Sequence, residues 1–128
     1  MKILLDTCTF LWIVSDAPEL TEAGKTVFSD PDNDVYLSSV SAWEILVKYL
    51  LGKLSISGSP ECFIREQREQ HDIDTLPLDE VSALHLPVLP KLHRDPFDRM
   101  LVCQAIEHNL TILTPDPMIT QYPIKVIW

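Results

Sequence analysis

Asp6, Glu44, Asp95, Asp98 and Asp116 stand where a chain that alternates short strands with helices collects its chemistry. Asp6 ends the apolar run Lys2 to Leu5, and Glu44 lies early in the helix after the second strand. Asp95 and Asp98 open the helix that leads into a later strand, and Asp116 follows that strand. In open parallel sheets, ligands sit beyond the carboxyl ends of the strands, which directs these side chains toward one cleft. Carboxylates gathered there repel one another by about 4 kcal/mol per pair at ~4 Å and an effective dielectric near 20, so the cleft requires a cation. Hard oxygen donors with no thiolate or imidazole among them favour Mg²⁺ or Mn²⁺. Such a centre orients and helps ionise a water, and it neutralises charge on a phosphoryl transition state and its leaving oxygen.

Each acid also has a purely structural reading. Asp6 suits an N-cap at a strand-to-helix turn, as does Asp95 before Pro96. Glu44 has Lys48 at i+4, a common surface pairing, and Asp116 lies between Pro115 and Pro117 as a turn former. Asp98 is different, because on a helix it shares a face with Leu101, Val102, Ala105 and Ile106. A carboxylate on a buried stripe needs a partner such as a cation, although it can also assist the Asp95 cap.

The elements that must position these residues follow from periodicity and punctuation. Strands are expected over Lys2 to Leu5, Val35 to Ser38, Ile73 to Leu76, Thr111 to Thr114 and Lys125 to Ile127. Helices are expected over Thr7 to Val14, from Thr21 as N-cap to the turn cluster at Ser29 to Asp34, and from Ser38 or Ser39 to Leu51 with Gly52 closing it. In that third helix Trp43, Leu46, Val47 and Leu50 mark the apolar face. Ser59 and Pro60 begin a polar, exposed helix to Gln70, and another runs from Asp79 to Leu86 ahead of a loop with Pro87 and Pro90. Asp95 and Pro96 open the helix Phe97 to His108, which Asn109 ends, and Met118 to Gln121 makes at most a helical turn. The alternation predicts a mainly parallel sheet covered on both faces, a three-layer α/β/α sandwich forming one domain over residues 1–128.

Bulk properties agree with that reading. The chain has 128 residues, 46% hydrophobic and 23% charged, which fits a globular protein rather than a disordered or membrane-spanning one. No run approaches the ~18 apolar residues needed to span a bilayer, and Asp6 interrupts the one segment that imitates a signal peptide. Cys8, Cys62 and Cys103 are odd in number and lack metal-site spacing, which suits reduced thiols in a cytoplasm. A net charge of −9 weighs against a phosphate-tracking surface unless divalent cations reverse the local field.

The blocks LLDTCTFLW, SSVSAWEILVK, LHRDPFDRMLVCQAI and LTPDPMITQYPIKVIW together resemble the PIN-domain family, in particular its VapC-type toxins of type II toxin-antitoxin systems. They occur in the family's order and span nearly the whole chain. The resemblance implies a metal-dependent, single-strand-specific endoribonuclease with an acidic Mg²⁺ or Mn²⁺ site. It also implies a homodimer inhibited by a cognate antitoxin. The family's acids fall on Asp6, Glu44, Asp98 and Asp116, which the resemblance makes both metal ligands and catalytic residues. Thr7 matches a hydroxyl residue that helps fix metal-bound water or a carboxylate. Arg99 matches a basic residue open to a phosphate or a structural carboxylate contact, or to simple exposure on the helix. Two departures stand out: Pro115 replaces a basic residue found before the final Asp in many relatives, and Asp95 is an extra acid beside Asp98.

Trp12, Trp43 and Phe97 have the rings to stack on bases, but their helical spacing in apolar surroundings reads as core. His71, His85, His93 and His108 form no ligand spacing, and His93 lies nearest the acids as a candidate substrate contact. Two other functions compete. A catalytically inert PIN-like protein-binding module would keep the fold without the chemistry. A receiver-like phosphoacceptor domain would want an Asp where the strand Val35 to Leu37 runs into Ser38 and Ser39.

Overall fold

The computed structural model describes residues 1–128. Five strands form one all-parallel sheet: β1 (Lys2–Leu5), β2 (Asp34–Ser38), β3 (Asp74–Leu76), β4 (Thr111–Leu113) and β5 (Lys125–Ile127), in the order β3-β2-β1-β4-β5. The helices are α1 (Thr7–Ser15), α2 (Glu22–Ser29), α3 (Ser39–Leu50), α4 (Pro60–Gln70), α5 (Glu80–Leu84), α6 (Pro96–His108) and α7 (Pro117–Thr120). No helix is long and apolar enough to cross a membrane.

Sheet and helices share two cores, as the alternating side chains of a doubly covered sheet require. Ile3, Leu5, Val35, Leu37 and Leu113 face one side with Phe10, Ile13, Ile45 and Ile64 from α1, α3 and α4. Leu4 and Ile112 face the other with Leu101, Val102 and Ala105 of α6 and Ile119 of α7. The expected three-layer α/β/α sandwich is the one observed.

Capping signals translate directly into hydrogen bonds. Thr21, Ser59 and Asp79 each accept a backbone N–H three residues on, and Ser38 rather than Ser39 caps α3 through Val40 N. Asn109 closes α6 in the left-handed conformation, and Gly52 sits at φ +73° just beyond α3.

Three expectations are corrected. Helix α5 stops at Leu84 rather than Leu86, and a 3₁₀ turn over Leu86–Val88 follows. Pro87 disfavours the α conformation at Leu86, which ends the helix early. On α3, Trp43 is 59% and Leu50 80% exposed, so neither belongs to the core. Helical periodicity groups them on a face, but only the inner edge of that face meets the sheet. Trp43 instead lies edge-on to Phe97, with ring centroids 4.9 Å apart, whereas Trp12 packs within the first core beside Trp128.

Candidate active site

The strand order reverses between β1 and β4, and the crevice this opens lies beyond their carboxyl ends. Pairing of Leu5 with Leu113 sets Asp6 beside Thr114. Asp6 caps α1 by accepting from Thr9 N at 2.8 Å with Oδ1, while its Oδ2 accepts the Thr114 hydroxyl proton. Thr114 Oγ1 in turn accepts from Asp116 N at 3.0 Å, so one hydroxyl ties two of the acids together. Burial pushes the Asp6 carboxyl above its ordinary range, against the pull of the Thr114 and Thr9 bonds, and the charge of Asp116 adds to the rise.

Glu44 is buried beside this pair, not on the surface as a simple partner for Lys48. Its Oε2 does receive Lys48 Nζ at 2.5 Å, and its Oε1 lies 2.7 Å from Thr7 Oγ1. That bond to Glu44 raises the Lys48 pKa. Thr7 also stands 2.9 Å from Ser41 Oγ. A hydroxyl has one proton, so Thr7 serves the carboxylate and the Ser41 contact uses the Ser41 proton.

The opposite wall is more open. A cleft of about 590 Å³ is lined by Asp95, Asp98, Asp116, His93 and Arg94, with Leu92 and Met118 at its rim. Asp95 caps α6 through Phe97 N and Asp98 N, as its structural reading has it, whereas Asp116 caps α7 through Met118 N rather than forming a simple turn. Asp98 Oδ2 lies 3.2 Å from His93 Nε2, and His93 Nδ1 lies 2.7 Å from the Tyr122 hydroxyl. The His93 side chain is only 6% exposed with both ring nitrogens occupied, so it orients Asp98 and is not placed as a substrate contact. The Asp98 carboxyl is pushed up to about 7, first by burial and then by the charge of Asp95. His93 opposes that rise, and Glu44 and Asp116 add to it.

Arg99 is neither a freely exposed helical residue nor paired with a carboxylate. Its guanidinium reaches the carbonyl oxygens of His93 at 3.5 Å and Leu89 at 3.4 Å, holding the loop before α6. Cys8 registers the same negative field: burial, then Asp6, pushes its thiol up to about 11, with Lys48 opposing.

As arranged, no three of these acids converge closely enough to grip one ion. Asp6 and Glu44 have their oxygens turned to hydrogen-bond partners, yet each ionised carboxylate keeps further lone pairs. Mg²⁺ binds through one or two carboxylates and retains several waters, a mode this all-oxygen, mutually repelling donor set fits. Burial first, and the charges of Asp95, Glu44 and Asp116 after it, raise the Asp98 carboxyl, and a cation would relieve the part due to those charges.

Thr114, Ser41 and Tyr122 are the supporting residues that sequence reasoning missed. Thr114 had a usable signal, since it follows β4 as Asp6 follows β1 and lies two residues before Asp116. Ser41 lies one helical turn before Glu44.

A family model described as PIN domain matches residues 3–125. The chain belongs to the PIN domain family. This PIN-domain chain is similar to one in the structure of VapBC2 from Rickettsia felis bound to a DNA fragment from their promoter. The TM-score is 0.76 at 14% identity, covering 99% of this chain and 98% of that one. The VapBC-1 structure from nontypeable Haemophilus influenzae gives 0.69 at 20% identity over 99% and 97%. FitAcB from Neisseria gonorrhoeae gives 0.60 at 23% over 98% and 96%. At these identities the likeness establishes the fold. Direct sequence comparison finds no significant match among curated proteins. The PIN match sets aside the receiver-like alternative.

Proposed function

We propose that this PIN-domain chain is a divalent-cation-dependent endoribonuclease and the VapC-type toxin of a toxin-antitoxin pair. It works as a homodimer in the cytoplasm and is inhibited by a cognate antitoxin. The observation that carries the reading is the set of acids at the carboxyl ends of β1, β2 and β4, where the strand order reverses in a PIN fold. Fold likeness to proteins crystallised as VapBC and FitAB complexes supports the antitoxin partner.

Asp6, Glu44, Asp98 and Asp116 would hold Mg²⁺ or Mn²⁺, which supplies Lewis-acid polarisation of a phosphoryl oxygen and activation of water. The chain's own residues keep the acids in register. Thr114 ties Asp6 to Asp116, while Thr7 and Lys48 fix the two oxygens of Glu44. His93 sets the orientation of Asp98, and Asp95 holds the start of the helix that carries it. Burial and the charge of Asp95 hold the Asp98 carboxyl up at about 7, and a cation in the cleft would favour its ionised form. An Arg or Lys from the antitoxin entering this cleft would compete with the cation.

Purified protein incubated with a panel of defined single-stranded RNAs tests the reading. Cleavage is expected with Mg²⁺ or Mn²⁺ and none in excess chelator. Undiminished cleavage in chelator, with contaminating nuclease excluded, overturns the metal dependence. No cleavage of any RNA under any condition favours the inert PIN-like binding module.

A further inference from the structure

Beside the acid cleft runs a second groove of about 430 Å³ whose polar lining has the opposite sign: Lys91, Arg94 and Arg99. Arg94 lines both depressions, so they adjoin. The chain has only ten Lys and Arg residues, and these three fall between positions 91 and 99. None forms an ion pair with a carboxylate. Arg99 spends two of its nitrogens on long bonds to carbonyl oxygens, and its Nε is buried without a partner. Keeping a guanidinium at a groove floor with no counter-charge, in a protein of net charge −9, is costly unless an anion comes to it.

We propose that this groove binds an RNA backbone phosphate adjacent to the phosphodiester in the acid cleft. Lys91 and Arg94 make the contacts, and Arg99 holds the loop and supplies fixed positive charge. The assignment rests on the nuclease reading above. A single strand carries a negative charge on every nucleotide, so placing one phosphate among repelling carboxylates benefits from anchoring its neighbour on cations. The loop from Leu89 to His93 is pinned by Arg99, so the anchor is fixed relative to Asp98, which starts from the same turn. The apolar remainder of the lining, Pro87 and Leu89 among it, offers no base-reading groups, so the contact is to the backbone and independent of sequence.

The test uses the full-length protein and a single-stranded RNA that it cuts, or a mixed-sequence strand if it cuts none. In two further versions a neutral methylphosphonate replaces the phosphate immediately 5′ or 3′ of the cut, or each of two successive phosphates of an uncut strand. Binding is read by fluorescence anisotropy in chelator, and cleavage separately with Mg²⁺. Wild-type protein should lose about tenfold in affinity when one of the two positions is neutralised, the worth of a charge-assisted contact. Arg94→Ala should show the same loss on unmodified RNA and little further loss on the neutral version. Its slope of log affinity against log salt should fall by about 0.7 for the phosphate contact removed. Lys91→Ala should act likewise, with both variants keeping the wild-type melting temperature.

Sensitivity at neither position, or an Arg94→Ala protein that binds RNA with wild-type affinity and salt slope, overturns the proposal. So does a variant that binds RNA normally but loses a protein partner, which would make the groove a site for acidic side chains. If wild-type protein binds RNA with the predicted Arg94 dependence yet cuts none, the subsite stands and the nuclease reading falls.

Discussion

The two walls of the acid cleft are built on different principles. On the β1 and α3 side, Asp6 and Glu44 are 4% and 3% exposed, and every carboxylate oxygen meets a donor from Thr9, Thr114, Thr7 or Lys48. On the α6 and α7 side, Asp95, Asp98 and Asp116 face open space and one another, and Asp98 has a single long contact to His93. The first wall is held by protein donors alone: each of its four carboxylate oxygens has one. The second has few donors, and burial followed by the charge of Asp95 raises the Asp98 carboxyl to about 7. A site divided this way keeps rigid positioning separate from electrostatic demand. Mutations on the two walls should therefore fail in opposite ways.

The largest effect is expected at Asp6. Asp6→Ala strands the Thr9 N–H and the Thr114 hydroxyl in a buried setting and removes the α1 cap, costing about 2 to 4 kcal/mol of stability. Asp6→Asn keeps an oxygen for Thr9 and a polar group for Thr114, so its stability loss should be smaller. Both should reduce cleavage at least about a hundredfold, because each removes a carboxylate that would hold the cation stabilising the transition state. Denaturant titration and single-turnover cleavage separate the two quantities. A stable, active Asp6→Ala protein would dissolve the distinction between the walls.

Asp98 should behave in the reverse manner. Asp98→Asn removes a charge that the cation-free protein holds at a cost, so it should lose cleavage and metal affinity yet melt at the same or a higher temperature without metal. The neighbouring Asp95→Ala should lose about 0.5 to 2 kcal/mol through its cap and retain appreciable activity well below its melting point. The pH dependence carries the same signature. The folded, cation-free protein keeps a proton on Asp98 that the unfolded chain releases near the ordinary value of 3.8. Its contribution to stability is therefore greatest at the acid end and declines as pH rises from about 4 through about 7. Subtracting the Asp98→Asn profile from the wild-type one should isolate that decline. An inactive but stable Asp95→Asn beside an active, less stable Asp98→Asn would exchange the roles of the two acids.

Much of the fold was legible because it is written in local chemistry. The strand-ending Asp6, the Ser59-Pro60 and Asp95-Pro96 starts and the Asn109 stop are each fixed by groups within a few residues. Asp6, Glu44 and Asp116 could be assigned to one edge of the sheet because each follows a strand of a parallel sheet. What failed depended on neighbours far away in the chain. Periodicity showed that Trp43 and Leu50 share a side of α3 but not that both stay largely exposed there, and Glu44 gave no local sign of being buried. For Arg99 the sequence offered a phosphate or carboxylate contact or simple exposure, and none of these is the bond it makes to the loop carbonyls of Leu89 and His93. The role of His93 was invisible for the same reason, since it depends on Tyr122, which approaches only when α7 packs on α6.

That last arrangement gives the finest test of the open wall. His93 bridges the Tyr122 hydroxyl and Asp98, the only acid of this wall that a side chain restrains. Residues that orient ligands in this way commonly account for about 10–100-fold in metal affinity. Because Asp98 is partly exposed and the bond is 3.2 Å long, His93→Gln should fall at the low end of that range. Mn²⁺ titration should show affinity weakened about tenfold, with the cleavage rate largely restored at saturating metal. Tyr122→Phe removes only the far end of the relay and leaves the imidazole packed in place, so its effect should be smaller, about two- to threefold. If saturating metal restores neither variant, His93 is acting on the substrate rather than through Asp98. If Tyr122→Phe weakens Mn²⁺ binding more than His93→Gln does, the tyrosine and not the histidine sets the orientation of the carboxylate.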